Sequence, residues 1–377
     1  MSIHKRHKIL FISSWFPNKL EPTNGNFVQR HAEAVSLFHN VEILHAIGDF
    51  NQKEKFVFDD EMINGIRTLI VYYKNSKNPL QNFLRRMRAY QLGFKKMQKP
   101  DLVHGNVLHN NLLFAVYLKK KFGIPFVVTE HWTALREINR NKLPFQKKMI
   151  AKFIGNQSSM LLPVSKDLEK GLKSLPIKTK MKVVPNVVDD TVFKPKTSEN
   201  EKITFIHVSS LIPRKNPEKI IEAAINLWKK GFDLNLKIGG DGDIKPLMNQ
   251  IEKSSFRDKI EIFGELTIYE VAEKMKNADC FILFSDDENQ PCVIAESFAS
   301  GIKVISTNVG GISEFFPDNF GILLEKVDVK LLEEAMIKVL NSELNSSKKE
   351  ISHYAEQTFS KQKIAEKFSE IYNQVLS

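Results

Sequence analysis

The chain reads as an α/β protein of two domains, each built on a parallel sheet. Short apolar runs alternate with longer amphipathic stretches, the pattern left by strands joined through crossover helices. A polar stretch over residues 189–201, with Pro195 inside it, interrupts the alternation before it restarts. The length, 377 residues, exceeds what one hydrophobic core usually serves.

In the first half, residues 8–13 are a compact apolar run that predicts a first buried strand. Polar residues follow from Asn18 to Asn26, and then Phe27, Val28, His31, Ala34, Val35 and Phe38 fall at helical spacing. Residues 41–45, 102–104 and 126–129 read as further strands. A helix over 112–122 stops at Gly123, with Pro125 just beyond. Residues 160–164 and 182–184 read as the last strands of this half. Beyond the polar stretch come a strand over 203–208, a helix over 217–230 and strands over 234–238, 259–262, 280–284 and 303–306. The final stretch, 361–376, carries Ile364, Ala365, Phe368, Ile371, Tyr372 and Val375 on one helical face, so it needs a surface to cover. The expected division is therefore residues 1–190 with a returning helix at 361–377, and residues 200–360.

Composition narrows the class. With 42% hydrophobic and 26% charged residues the chain is ordinarily globular. No apolar run approaches the ~20 residues that span a bilayer. The basic start, Met1 to Lys8, leads into Ile9-Leu-Phe-Ile12, too short for a signal-peptide core. Two cysteines, Cys280 and Cys292, imply neither a disulfide framework nor a metal cluster. A cytoplasmic protein is expected. The net charge of +11 is uneven: residues 1–190 hold 31 Lys and Arg against 15 Asp and Glu, and the remainder is net acidic. That asymmetry suggests an anionic partner for the first half. Nucleic acid is disfavoured, because no recognised module or aromatic stacking platform occurs. Residues 82–97 and 142–154 interleave cations with large apolar side chains, among them Phe83, Met87, Tyr90 and Phe94. Such stretches suit peripheral binding to an anionic membrane at its inner face, or equally a core-packed stripe with solvated cations.

Ligands of open parallel sheets bind outside the carboxyl ends of the strands, so the segments after each strand carry the chemistry. After 280–284 the sequence runs Ser-Asp-Asp-Glu-Asn-Gln-Pro-Cys-Val-Ile-Ala-Glu-Ser-Phe-Ala-Ser-Gly to Gly301. Pro291 suits the first turn of a helix and Gly301 its end. Backbone N–H groups at such a start favour a diphosphate. Glu288 before that helix and Glu296 in its second turn can accept hydrogen bonds from sugar hydroxyls; as bare acidic residues they could equally just favour the helix dipole. After 203–208, Arg214 and Lys215 precede a helix, where they meet phosphate charge or remain solvated. After 234–238, Gly239-Gly-Asp-Gly242 permits close backbone approach, a weak signal alone. No metal is expected, and the adjacent Asp286 and Asp287 read as solvated. The first strand is not followed by Gly-x-Gly-x-x-Gly, which disfavours a dinucleotide dehydrogenase.

Taken in order, these segments resemble the retaining, GT-B-fold glycosyltransferases of family 4 (glycosyl transferases group 1). The resemblance rests on Val-Pro-Asn-Val-Val-Asp at 184–189, Gly-Gly-Asp-Gly at 239–242, Phe-Gly-Glu at 263–265, residues 278–285, the Glu288–Glu296 spacing, and Val-Gly-Gly-Ile-Ser-Glu at 309–314. The first half matches more loosely, through Trp15-Phe-Pro17, Gly25 and Thr129-Glu-His-Trp132. The family implies two Rossmann-like domains facing across a cleft. It also implies transfer of a hexosyl group, with retention, from a UDP- or GDP-sugar co-substrate to a saccharide or lipid-linked saccharide acceptor. Polysaccharide or glycolipid assembly is the implied setting, with no cofactor and no metal.

By the same resemblance Glu296 binds the ribose, Glu288 the donor sugar, and Lys215 neutralises the diphosphate leaving group. Gln290, Pro291, Cys292 and Val293 line the donor at the helix start, and the base sits near Gly240, Phe263 and Gly264. Gly25 admits the donor phosphate, and His131 reaches the donor sugar or reaction centre; as a lone residue after a strand, His131 also suits a structural role. One departure stands out. The family places an arginine five residues before the phosphate lysine, and this chain has Ser210 there, which makes Arg214 the candidate substitute. The competing functions are a nucleotide-sugar epimerase of the same fold and a non-catalytic membrane or nucleotide-binding protein.

Overall fold

The computed structural model describes residues 5–198, 200–252 and 254–377. The first four residues of the basic N-terminal stretch, Glu199 in the expected linker, and Lys253 lie outside the described residues. The chain divides into two compact units, 1–187 with 361–377, and 188–360. Elements are numbered in chain order.

The first unit runs β1 (Lys8–Ser13), α1 (Asn26–Ser36), β2 (Asn40–Asp49), β3 (Phe56–Ile63), β4 (Ile66–Lys74), α2 (Pro79–Phe94), β5 (Leu102–Asn106), α3 (Leu113–Phe122), β6 (Phe126–Glu130), α4 (Phe145–Gln157), β7 (Met160–Pro163) and α5 (Lys166–Ser174). Its seven strands lie in the order β3-β4-β2-β1-β5-β6-β7. β1 sits in the middle, parallel to β2 on one side and β5 on the other. Helices cover both faces of this sheet, which is why β1, β5 and β6 read as continuous apolar runs. The β3–β4 hairpin, antiparallel at the sheet edge, is absent from the sequence expectation. It turns on Asn64-Gly65, both at positive φ (49° and 78°), the geometry that matches the right-handed twist of the flanking strands. The expected strand over 182–184 is corrected: Met181 makes one isolated bridge to Leu161, and Val184 N–H reaches the Pro163 carbonyl before Pro185 ends the pairing.

The second unit runs β8 (Thr204–Val208), α6 (Pro217–Lys229), β9 (Asn235–Gly239), α7 (Lys245–Glu252), β10 (Ile260–Phe263), α8 (Ile268–Lys276), β11 (Cys280–Leu283), α9 (Cys292–Ala299), β12 (Lys303–Thr307), β13 (Gly321–Leu324), α10 (Val329–Leu340) and α11 (Lys348–Phe359). Its sheet is parallel in the order β10-β9-β8-β11-β12-β13. That is the doubly wound Rossmann order, with its switch point between β8 and β11. The polar stretch after residue 188 belongs to this unit, where Val188 N–H bonds the Phe359 carbonyl at 2.9 Å.

α12 (Lys361–Leu376) returns to the first unit. Ile364, Ala365, Phe368, Ile371 and Tyr372 are buried against α1 and the sheet, which satisfies the apolar stripe that the sequence left without a surface. His39 Nε2 and Ser369 Oγ, 2.9 Å apart, add a buried polar tie.

Candidate functional site

In the second unit the switch point brings two crossover loops together. The loop after β8 makes a short 3₁₀ turn at Pro213–Lys215 and enters α6 through Asn216, held at φ 50°. Asn216 Nδ2 donates to the Phe284 carbonyl (3.0 Å) and to Asp286 Oδ2 (3.2 Å), which ties this loop to the one after β11. Arg214 completes the tie: its Nη1 donates to the Asp287 carbonyl at 2.7 Å, and its own carbonyl accepts from Asp286 N–H. The Asn289 carbonyl accepts from Gly311 N–H at 2.9 Å. Thr307 Oγ1 donates to the Ser285 carbonyl at 2.6 Å.

Within this frame Lys215 and Glu288 form a buried ion pair, each below a tenth exposed. Asn289, Gln290 and Glu296 are buried beside it in sequence, while Pro291, Cys292 and Val293 are partly exposed at the start of α9. No side chain caps that start, which begins from Pro291 at φ −70° and ψ 125°. A buried ion pair stands only if both charges remain matched. The pair therefore keeps a cation ready where backbone donors at a helix start also favour an anion. His207 sits under the same loop with Nδ1 on the Ile282 carbonyl and Nε2 on Ser209 Oγ, both 2.8 Å. Burial lowers its pKa from 6.5 to about 4, so it is a neutral brace.

The glycine turn has a structural reason of its own. A Cβ on Gly240 would stand 1.8 Å from the Ser209 carbonyl oxygen, and its φ of 141° suits glycine alone. Phe263 is buried, with Lys274 Nζ 4.8 Å from its ring centre. Gly264 faces open space. At the position of the expected arginine, Ser210 leaves no cation; Arg214, next to Lys215, is spent in part on the Asp287 carbonyl.

The first unit is organised differently. Gly25, at φ 80°, starts α1, and a Cβ there would lie 2.5 Å from the Trp15 carbonyl oxygen. His131 follows β6 and is buried, its ring 4.3 Å from Phe27 and 5.4 Å from His31. Burial holds the pKa of His131 and His104 well below 6.5 and that of His31 at about 4. His131 is thus one of a neutral histidine cluster rather than a lone residue. Its neighbour Glu130 accepts backbone N–H bonds from Leu108 (2.6 Å), His131 (2.8 Å) and Trp132 (2.7 Å). Burial raises the Glu130 pKa from 4.5 to about 7, opposed by those three bonds. Sequence reasoning missed this bracket, although Thr129-Glu-His-Trp132 already placed Glu130 at a strand end.

Among the described residues, no group of three or more His, Cys, Asp or Glu is placed to hold a metal ion, and no helix is long and apolar enough to cross a membrane.

Two family models match consecutive parts of the chain: Glycosyltransferase Family 4 over residues 27–192 and Glycosyl transferases group 1 over residues 188–358. The chain belongs to these GT-B glycosyltransferases. It is 30% identical over 198 residues to one component of human phosphatidylinositol N-acetylglucosaminyltransferase, a match that covers 51% of this chain and 41% of that one. The chain thus spans less than half the length of that relative. It is 23% identical to a putative teichuronic acid biosynthesis glycosyltransferase of Bacillus subtilis, over 88% of each chain. Among solved structures, Anabaena Alr3699/HepE in complex with UDP and glucose superposes with a TM-score of 0.75 at 16% identity, covering 98% of this chain and all of that one.

Proposed function

We propose that this enzyme transfers a hexosyl group, with retention and without a metal, from a UDP- or GDP-sugar to an acceptor hydroxyl in the assembly of a cell-surface polysaccharide or glycolipid. The bond from the anomeric carbon to the diphosphate breaks, a bond to the acceptor oxygen forms on the same face, and the hydroxyl proton leaves with the diphosphate. The observation that carries this reading is the buried Lys215–Glu288 pair at the Rossmann switch point, beside the uncapped start of α9. Lys215 would shift from Glu288 to the leaving diphosphate, where a fixed cation stabilises developing charge. That frees Glu288 to accept from a donor-sugar hydroxyl, while Glu296 takes the ribose. Arg214 would act chiefly by holding the loop that presents Glu288.

Gly25 and His131 belong to the first unit, and their assigned contacts with the donor rest on the family resemblance alone. The relatives support the setting: one is a phosphatidylinositol N-acetylglucosaminyltransferase component, another a putative teichuronic acid biosynthesis glycosyltransferase, and HepE is complexed with UDP and glucose. Membrane association on the cytoplasmic side fits the exposed Phe145, Met149 and Phe153 of α4 among its lysines.

Donor titration followed by thermal unfolding tests the reading, because a ligand that binds only the folded state raises its stability. A UDP- or GDP-sugar should stabilise the chain, and Glu296→Ala should weaken that donor by roughly tenfold or more. An unchanged dissociation constant in Glu296→Ala would remove its ribose role. Chelator should leave transfer intact, and its abolition would overturn the metal-free reaction. A nucleotide sugar isomerised without any acceptor would instead identify an epimerase.

A further inference from the structure

β1 stands between β2 and β5, so the first sheet has its own switch point, just beyond Ser13 and Asn106. A cavity of 370 Å³ opens there, within the size range of small-ligand sites. Ser14, His45, Arg86, His109, Trp132 and Lys147 contribute to its walls.

Two cations face it, and among the described residues neither has a carboxylate partner. Arg86 donates from Nε to Tyr73 Oη (3.0 Å) and from Nη1 to Asn110 Oδ1 (2.9 Å) and Asn111 Oδ1 (2.6 Å). Neutral groups thus fix the guanidinium in place, leave Nη2 available and do not cancel its charge. Lys147 Nζ lies 5.5 Å from the centre of the Trp132 ring. Glu21 is the acidic residue on the wall, and it accepts from Asn24 Nδ2 at 2.5 Å.

Two polar atoms on the same wall are buried without a partner among the described residues. His45, 2% exposed, sets Nδ1 3.0 Å from the Ser13 carbonyl, so that nitrogen carries the proton and Nε2 offers an unmatched lone pair. Ser14 Oγ is likewise unmatched. Buried polar atoms are rarely left so, and a ligand is one reason they are. Burial, with Arg86 nearby, lowers the His45 pKa to about 4, so its ring remains a neutral acceptor.

We infer that this cavity binds the acceptor, and that the acceptor carries an oxyanion close to a hydroxyl: Arg86 and Lys147 face the oxyanion while His45 Nε2 accepts from the hydroxyl. The inference rests on the transferase reading and adds to it the chemical class of the second substrate. The two N–H bonds left on Nη2, on a guanidinium whose charge is uncancelled, suit a charge-assisted bond to a phosphate or carboxylate oxygen.

The test uses calorimetric titration of the full chain with sn-glycerol 3-phosphate and with inorganic phosphate. Both are measured in a Lys215→Met, Glu288→Leu background, which removes the second unit's ion pair without stranding either charge, so that the second unit does not contribute. Lys147→Met and Arg86→Met should each weaken glycerol 3-phosphate by about tenfold, equivalent to 1.4 kcal/mol. Arg86 also orders its neighbours, but Lys147 meets the Trp132 ring and holds no loop in place, so a loss in Lys147→Met is not an unfolding effect. His45→Phe should abolish the preference for glycerol 3-phosphate over phosphate.

Unchanged affinity in both cation variants, or no binding once Lys215 is removed, would overturn the inference. Sedimentation with phosphatidylinositol vesicles separates the sources. Vesicle binding lost in Arg86→Met, a cavity residue outside the exposed face of α4, assigns the oxyanion to a lipid headgroup, and loss confined to the soluble probe assigns it to a soluble acceptor. Sugar transfer with all three variants binding normally would sink the cavity alone. Cavity binding without any transfer would sink the transferase reading alone.

Discussion

The two sheets end in crossover loops of opposite electrical character. In the second unit the loops after β8 and β11 enclose formal charge, Lys215 against Glu288, and cross-brace it with Asn216, Arg214 and Thr307. In the first unit the buried groups on and beside the sheet include His31, His104 and His131, kept uncharged, with Glu130 pushed towards neutrality. A matched ion pair can be exchanged for an anionic ligand, because one charge simply changes partner. A neutral imidazole instead offers hydrogen bonds and answers to pH.

The largest effect should come from Lys215. Removing it strands Glu288 as a buried unpaired charge, so Lys215→Ala should destabilise the second unit by about 3–5 kcal/mol. It should also slow transfer by on the order of 10²–10³-fold. The Lys215→Met, Glu288→Leu double variant should recover much of the stability and none of the activity, as read by urea unfolding and turnover. Wild-type turnover in Lys215→Ala would dissolve the contrast between the units.

Acidification probes the other side. His31 and His45 have folded pKa values lowered from 6.5 to about 4, and those of His104 and His131 lie well below 6.5. The unfolded chain therefore takes up protons first, and the stability these residues contribute is present above pH 6.5 and lost as pH falls through about 4. The second unit has only His207 among the described residues that behaves this way. Glu130 works in reverse: raised from 4.5 to about 7, it contributes stability below pH 4.5 that is lost as pH rises through 7. Four histidines outweigh one carboxyl group. Hydrogen exchange at pH 5 against pH 7.5 should show protection falling chiefly in the first unit, whereas equal loss in both would break the comparison. Glu130→Gln should remove the opposing slope.

A smaller effect separates two glycines of the second unit. Gly240→Ala meets the Ser209 carbonyl and should cost about 1–3 kcal/mol, while Gly264→Ala enters open space and should stay within about 0.5 kcal/mol. Equal melting temperatures would show that the turn adapts. The smallest change in stability is expected from Phe145→Ser with Phe153→Ser, 75% and 43% exposed, again within about 0.5 kcal/mol. The same pair should reduce binding to anionic vesicles several-fold, and undiminished binding would assign the basic character of this unit to something other than a membrane.

Much of this was legible from local pattern. Buried parallel strands announce themselves as apolar runs, and so β1, β5, β6, β8, β11 and β12 were all anticipated within a residue or two. The edge hairpin β3–β4 escaped because β3, Phe-Val-Phe-Asp-Asp-Glu-Met-Ile, is nowhere fully buried and shows no strand alternation, although Asn64-Gly65 marked its turn. The expected strand at 182–184 failed because its pairing beside β7 stops at Pro185, which has no N–H to continue a ladder. At the site, Glu288, Lys215 and Glu296 could be nominated from spacing and resemblance. Their support could not be: Asn216 bonds the Phe284 carbonyl 68 positions away, and nothing local encodes that.

Sequence alone determined the α/β class, the two-unit division, the uneven charge and the nominated carboxylates and cations, since each follows from near-neighbour periodicity, composition or motif order. Tertiary structure alone decided which charges are matched. It paired Lys215 with Glu288, left Arg86 held but uncancelled, and buried four histidines of the first unit in neutral form. Those outcomes depend on desolvation and on contacts between residues far apart in sequence, and both exist only once the sheets have assembled.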